Sequence, residues 1–187
     1  FYKELDTFVY QRNAVYDFSN IPHDPAFQPQ MYLGYSSQPV NGEGGIVKGA
    51  EVSATLMGEL LAEQLSGFGV TLSASYTESN IKTDFDNGEL PGLSRNVQGA
   101  TFFYENESGF SARVSANYRS EFLGELAGFD AQRNQRMVKD QTTVDAQISY
   151  EFLSGSLEGM TVSLEGINLT DEPMVTYSGT NTGRIVD

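Results

Sequence analysis

Apolar and polar side chains alternate along several stretches of this chain. In residues 110–119, aromatic and aliphatic side chains fall on the even positions, and serine, arginine and asparagine fall on the odd ones. The same alternation runs through 69–79 and 143–152. Because successive side chains of a β-strand point to opposite faces, each stretch predicts a strand with one apolar and one polar face. Such strands are typical of the wall of a transmembrane β-barrel.

The connections between the predicted strands alternate in length. We predict seven strands, at residues 1–11, 46–63, 69–79, 94–105, 110–120, 141–153 and 160–169. Three connections, 64–68, 106–109 and 154–159, are short and contain glycine, as hairpin turns require. The connections 12–45, 80–93 and 121–141 and the segment after residue 170 are long and rich in Pro, Gly, Asn and Asp. Outer-membrane barrels have this asymmetry, so we expect an all-β antiparallel meander that forms part of a transmembrane barrel wall.

Aromatic side chains on the apolar face cluster at the strand ends. Phe68 and Tyr76 bracket one aliphatic stretch, Phe110 and Tyr118 bracket a second, and Tyr150 lies at the end of a third. Membrane barrels carry aromatic girdles at both interfaces around an aliphatic band. A soluble β-sandwich shares the alternation but has no reason to move aromatics to strand ends, and it stays as the alternative fold.

Two strands leave their register open. A three-residue turn with Gly109 in the left-handed conformation would send Phe102 and Tyr104 to the apolar face, whereas a four-residue turn would send Phe103 there. Strand 160–169 changes parity near Gly166, where a β-bulge would account for the slip.

Composition narrows the possible functions. The formal net charge of −14 over 187 residues argues against nucleic-acid binding, because phosphates would not be neutralised. The chain has no cysteine, and no apolar run reaches the ~18 residues of a membrane helix. The single histidine, His23, is next to Asp24 and lacks triad geometry, so we expect no enzyme activity. Asp84 and Asp86 lack the distal glutamate of a calcium loop, and we expect neither a metal nor a cofactor.

Several segments together resemble one protein family. They are VKGAEVSA (47–54), GFGVTLSASYTES (67–79), LPGLSRNV (90–97), GFSARVSANYRSEFLGE (109–125), VDAQISYEF (144–152) and GINLTDEP (166–173). Their combination resembles the C-terminal part of the barrel of TonB-dependent outer-membrane receptors, and is most similar to the proteobacterial branch associated with carbohydrate uptake.

The resemblance implies a 22-stranded barrel whose lumen holds a plug, in the outer membrane of a Gram-negative bacterium. Its partners would be outer-membrane lipid, the remaining barrel and plug, the inner-membrane energy-coupling complex acting through the plug, and a small-molecule nutrient. Residues 1–187 would then be one domain, a C-terminal barrel fragment without the plug and without the closing strand. The expected function is uptake of a scarce nutrient into the periplasm.

The expected substrate is an oligosaccharide. A ferric siderophore or a vitamin is the alternative within transport, and a soluble β-rich binding or structural module is the alternative outside it. Arg133, Arg136 and Lys139 in one long connection would suit an anionic chelate. Four charged side chains have the parity of the polar face and would point into the lumen: Arg113, Arg119, Asp145 and Glu151. Four aromatics in long connections are the candidates for substrate contact, because rings stack on the apolar faces of sugars: Tyr32, Tyr35, Phe129 and Tyr177.

Overall fold

The chain forms one large antiparallel sheet and two small ones. The computed structural model describes residues 1–22, 24, 26, 31–82, 87–127 and 134–178. The strands are β1 (Tyr2–Leu5), β2 (Val9–Asp17), β3 (Leu33–Asn41), β4 (Gly44–Met57), β5 (Phe68–Lys82), β6 (Asn87–Gly88), β7 (Asn96–Glu105), β8 (Phe110–Arg119), β9 (Phe122–Ala127), β10 (Asn134–Val138), β11 (Gln141–Glu151), β12 (Thr161–Gly166) and β13 (Thr176–Ser178).

The large sheet, which we call the wall, has the order β1-β4-β5-β7-β8-β11-β12, with β6 paired to β5. Its members correspond to the seven predicted strands, and the all-β antiparallel fold is confirmed. The sheet does not close into a barrel within the described residues, since β1 and β12 are its two edges. Residues 58–67 join β4 to β5, residues 106–109 join β7 to β8, and residues 152–160 join β11 to β12, all at one end of the wall, which we call the short-turn end. The first and last of these connections are longer than the predicted turns at 64–68 and 154–159.

The predicted side-chain faces are confirmed by the strand register. Val70 of β5 lies beside Phe102 of β7, which lies beside Val114 of β8, and all three are on the apolar face. Five large side chains of this face are between 48% and 67% exposed: Val52, Leu72, Phe102, Val114 and Ile148. No second sheet covers them within the described residues, so those residues do not form a closed sandwich.

Aromatic rings form a row along the short-turn end of the apolar face. The ring centroids of Phe68 and Tyr104 are 4.4 Å apart, and those of Tyr104 and Phe110 are 6.3 Å apart. From Phe110 to Tyr118 the strand rises about 26 Å at the usual spacing per residue. That is comparable with the height of the apolar band of a membrane barrel, about 25 Å.

Both open registers are resolved. Asn106 N–H donates to the Phe110 carbonyl at 3.0 Å, which leaves a three-residue turn with Gly109 at φ +90°. Phe102 and Tyr104 therefore lie on the apolar face. At the other site, Ala146 pairs with Gly166, yet Val144 accepts from Leu169 rather than from Asn168. The extra residue at Asn168, with φ 50°, is the expected bulge.

Two predicted boundaries are wrong. The strand predicted at 46–63 ends at Met57, because the chain turns into two short 3-10 segments, Gly58–Leu60 and Glu63–Leu65. The connection predicted at 12–45 is mostly a β-hairpin, β2–β3, which we call the distal hairpin. It continues the line of β1 and β4 beyond the wall, so the strand predicted at 1–11 is divided between β1 and β2.

The distal hairpin and the wall meet at a break in both strands. Residues 6–8 separate β1 from β2, and residues 42–43 separate β3 from β4. Gly42 N–H bridges the break by donating to the Phe8 carbonyl at 2.8 Å. Gly44 has φ +78°, and a Cβ there would lie 1.9 Å from the Leu5 carbonyl oxygen. We call this break, residues 6–8 and 42–45, the glycine joint.

Four of the six buried hydrophobic side chains of the described residues lie in a small sheet formed by the long connections, and the other two, Tyr10 and Ile81, lie in β2 and β5. Strands β9, β10 and β13 form a three-stranded sheet, which we call the loop sheet. Its buried side chains are Phe122, Leu123, Val138 and Tyr177. The Leu123 carbonyl also accepts from Gly92 N–H at 2.7 Å, which ties the connection before β7 to the loop sheet. Segments predicted as irregular therefore pack into one body beside the end of the wall.

Candidate functional site

The polar face of the wall carries a band of small hydroxyl side chains. Two adjacent rows cross β4, β5, β7 and β8, and they contain Ser53, Thr55, Thr71, Ser73, Thr101 and Ser115. Hydroxyls pair between neighbouring strands, at 3.0 Å for Thr55 and Thr71 and 3.3 Å for Thr101 and Ser115. We call these six residues the hydroxyl band. It contains no charged side chain.

The four charged residues assigned to the polar face do share that face. Arg113 lies beside Gln147, Asp145 lies beside Ser115, and Arg119 lies beside Gln141. Asp145 Oδ1 accepts from Asn168 N–H at 2.8 Å and so fixes the bulge after β12. Glu151 lies at the short-turn end of β11. No ion pair joins any two of the four within the described chain. Their exposure to a barrel lumen stays a prediction.

Arg119 is held more firmly than the other three. Its Nε donates to Ser94 Oγ at 3.2 Å, and Ser94 is the buried polar side chain of the described residues. Its guanidinium carbon lies 3.9 Å from the centroid of the Phe122 ring, which is also buried. A cation at this distance from an aromatic face is attracted by the ring quadrupole. The end of β8 is thereby fastened both to the segment before β7 and to the loop sheet.

The aromatic candidates lie in different environments. Tyr35 is in β3 of the distal hairpin, opposite Val15, and is 51% exposed. Tyr32 is half-buried just before β3, and its carbonyl accepts from Phe18 N–H at 2.8 Å. Phe129 lies outside the described residues. The residues considered above for catalysis, for a calcium loop and for chelate binding also lie outside them: His23, Asp84, Asp86 and Arg133.

Tyr177 is covered by its surroundings. It is 8% exposed, lies in β13 and pairs with Met137 of β10. Burial, followed by hydrogen bonding to Glu121 and the charge of that carboxylate, raises the pKa of Tyr177 to about 12. A ring in this position is not presented to a ligand, so we assign Tyr177 to packing of the loop sheet rather than to substrate contact.

A family model for the β-barrel of TonB-dependent receptor-like proteins matches residues 1–169. The chain belongs to this family. No curated protein and no solved structure gives a significant match. Receptors of this family are transporters of the Gram-negative outer membrane rather than enzymes. The general assignment as an outer-membrane receptor therefore stands, whereas the family does not distinguish between substrates.

The described part of this receptor chain holds neither a metal-binding cluster nor a membrane-spanning helix. It holds no group of three or more His, Cys, Asp or Glu side chains placed to share a metal ion. None of its helices is long and apolar enough to cross a membrane.

Sequence reasoning missed the fastening of Arg119 in the receptor. Parity placed Arg119 on the correct face, but nothing in the pattern linked it to Ser94, which precedes β7, or to Phe122, which begins β9. The sequence SEF at 120–122, directly after Arg119, was predicted to begin an irregular connection. The sequence offers only an aromatic residue, Phe122, three positions after an arginine at a strand end. Such a spacing is too common to predict a contact.

Proposed function

We propose that residues 1–187 are the C-terminal part of the barrel of an energy-coupled receptor that takes up an oligosaccharide. The apolar face contacts outer-membrane lipid, and the polar face lines the lumen. The rest of the barrel and the plug complete the receptor, and the inner-membrane energy-coupling complex acts through the plug. The short-turn end faces the periplasm, because membrane barrels place tight turns there and long connections outside.

The hydroxyl band is the observation that carries the proposed substrate class. A hydroxyl supplies one donor and two acceptor positions, so each hydroxyl pair keeps one free O–H and several free lone pairs. Thr55 with Thr71, and Thr101 with Ser115, can therefore both donate to and accept from a passing sugar. The six residues of the band are uncharged, which matches a neutral polyol, although Arg113 and Asp145 border the band on the same face.

The charge of the connections also disfavours the second candidate, a ferric siderophore. Residues 80–93 contain Asp84, Asp86 and Glu89 but a single lysine, Lys82. Glu89 is paired with Arg95 at 3.0 Å. A net negative surface lowers the local concentration of a multiply charged anion.

Tyr32 and Tyr35 are the aromatic contacts that we keep in the proposal, and Phe129 is kept from the sequence alone. Tyr35 is exposed on one face of the distal hairpin, in the part of the chain that we place outside the membrane. A ring of this kind supplies apolar area to one face of a sugar.

Calorimetry on the purified intact receptor tests the proposal with a panel of oligosaccharides and one ferric siderophore. We expect sugar binding, weakened about tenfold by Tyr35→Ala, equivalent to about 1.4 kcal/mol. Tyr16→Ala is the matched control, because Tyr16 is 52% exposed but lies on the opposite face of the same hairpin. Siderophore binding without sugar affinity would refute the substrate class. Equal effects of Tyr35→Ala and Tyr16→Ala would refute the role of Tyr35.

A further inference from the structure

The guanidinium of Arg119 is prepared for a ligand that the described chain does not supply. Nε is engaged by Ser94, and one face of the group is covered by Phe122. The two terminal nitrogens make no hydrogen bond or ion pair with any residue of the described chain. An arginine with its stem and one face fixed loses little freedom when its remaining fork binds, because the fork is already oriented.

Several carboxylates of the described residues have partners other than Arg119. Glu121, two residues along the chain, interacts with Tyr177. Glu89 is 3.0 Å from Arg95, and Glu78 is 3.3 Å from Lys48. Arg119 thus differs from Arg95 and Lys48, which have carboxylate partners. A half-buried cation without a counter-ion favours binding of an anion, because partial burial has removed some of its hydration.

The position of Arg119 relates it to the transport path. It lies on the polar face, at the end of β8 away from the short turns, two residues beyond Asn117 and four beyond Ser115. In a strand, side chains two residues apart on one face are about 6.6 Å apart. A sugar unit bound at Arg119 would therefore be at the entrance to the hydroxyl band.

We propose that Arg119 binds the carboxylate of an acidic sugar unit, so that the oligosaccharide taken up by this receptor contains a uronic acid. This inference rests on the proposed function and names the substrate class more narrowly. The planar fork of the guanidinium matches the two oxygens of a carboxylate. The hydroxyl band then receives the neutral hydroxyls of the same sugar chain.

A carboxylate is the anion most compatible with the charge of the receptor chain. A single negative charge is repelled weakly by distant acidic residues, because salt screens them beyond about 8 Å at physiological ionic strength. A phosphate carries a charge of nearly −2 and would meet more repulsion from a chain of net charge −14. Contact with Arg119 is short-range and partly desolvated, so salt screens it less.

Calorimetry on the purified intact receptor gives the decisive comparison, with a uronic-acid oligosaccharide and the same oligosaccharide after chemical reduction of its carboxyl groups. We expect the acidic form to bind at least about tenfold more tightly. Arg119→Met keeps the length of the side chain and removes its donors, and it should bring the ratio of the two affinities close to one. Arg119→Lys should retain part of the preference, because the charge remains without the fork.

A second measurement separates ligand contact from a purely structural role. The late titration of the Tyr177 phenol reports an intact loop sheet, and we expect it to be unchanged in Arg119→Met and Arg119→Lys. If Arg119→Met changes the titration of Tyr177, the Arg119→Lys variant decides. A residual preference of Arg119→Lys for the acidic sugar supports the proposal. Equal affinities of Arg119→Lys for the two sugars, with Tyr177 still ionising late, overturn the proposal.

Three results would overturn the proposal directly. One is equal affinity of the unmodified receptor for the two sugars. Another is an unchanged ratio of the affinities for the acidic and the reduced sugar in Arg119→Met. That result would mean that Arg119 binds another carboxylate in the intact receptor, such as one from the plug. The third is preference for the reduced sugar. Each of these leaves oligosaccharide binding in place, whereas failure of the proposed function would appear as no affinity for either sugar.

Discussion

Replacing Val114 by arginine tests the assignment of the two wall faces most directly. Val114 lies midway between Phe110 and Tyr118 on the apolar face, about 13 Å from each along the strand. Its neighbours on that face are Phe102 and Ala146, and it is 48% exposed within this chain. In a membrane barrel this is the centre of the lipid-facing band, where an arginine costs roughly 2–4 kcal/mol.

The adjacent residue supplies the matched control. Ser115 is on the polar face, beside Asp145 of β11, and its hydroxyl accepts from Thr101 at 3.3 Å. Ser115→Arg loses that hydrogen bond, worth about 1 kcal/mol, and gains a carboxylate neighbour, so we expect a cost of less than about 1 kcal/mol. Ala112→Arg and Ala116→Arg lie nearer the interfaces and should cost less than Val114→Arg, because the penalty falls with depth.

The assay is reversible unfolding of the intact receptor in phospholipid vesicles, with the free energy of unfolding measured by denaturant titration. The expected result is a cost that peaks at Val114 and is small at Ser115. Equal losses for Val114→Arg and Ser115→Arg would show that the two faces meet similar surroundings and would refute the lipid-and-lumen assignment. A larger loss at Ser115 would reverse it.

Three further predictions concern the rest of the chain. One of the ten tyrosines should ionise near pH 12 in a spectrophotometric titration, and this late ionisation should be absent in Tyr177→Phe. Because the pKa of Tyr177 is raised from 10.0, the phenol should stabilise the loop sheet fully below about pH 10 and lose this effect as the pH rises through about 12. A difference titration that shows no late phenol would contradict the burial of Tyr177. Gly69→Ala should lower the free energy of unfolding by about 1–3 kcal/mol, because the new Cβ would lie 2.2 Å from Phe103 Cζ, and Phe103→Leu should recover part of this loss. Gly99→Ala should cost less, because its Cβ meets only the terminal hydroxyl of Ser73, which can rotate away. The isolated chain should associate in detergent through the open edges β1 and β12, as measured by light scattering, and a monodisperse monomer would count against it.

Periodicity predicted the wall well because each of its strands has two different environments. Where lipid lies on one side and water on the other, parity determines which side chains are apolar, as in β5, β8 and β11. The turn at Gly109 was left open between three and four residues, and the hydrogen bond from Asn106 to Phe110 decides for three. Local sequence therefore predicted the faces of the strands but not the register of this turn.

The distal hairpin was missed for the converse reason. Beyond the wall both of its faces meet water or other loops, so β2 carries Val15 and Tyr16 in succession and no clean alternation. The strand predicted at 46–63 ends at Met57, where the chain turns into the 3-10 segments. The loop sheet was invisible because its strands are short and pair over long sequence distances. The setting of Arg119 and the burial of Tyr177 depend on that pairing and could not be predicted before it.

The glycine joint divides the chain into parts that tolerate change differently during evolution. Below it, inserting one residue would exchange every lipid-facing side chain of a strand with its lumen-facing neighbours, so the wall can vary in composition but hardly in length. Above it, Gly42 and Gly44 interrupt the strands, and most side chains of the distal hairpin are exposed, so few buried contacts constrain its length. Lengthening or replacing that hairpin would alter the outer surface of the receptor without disturbing its fit in the membrane. New binding specificities could arise there while the wall is inherited unchanged.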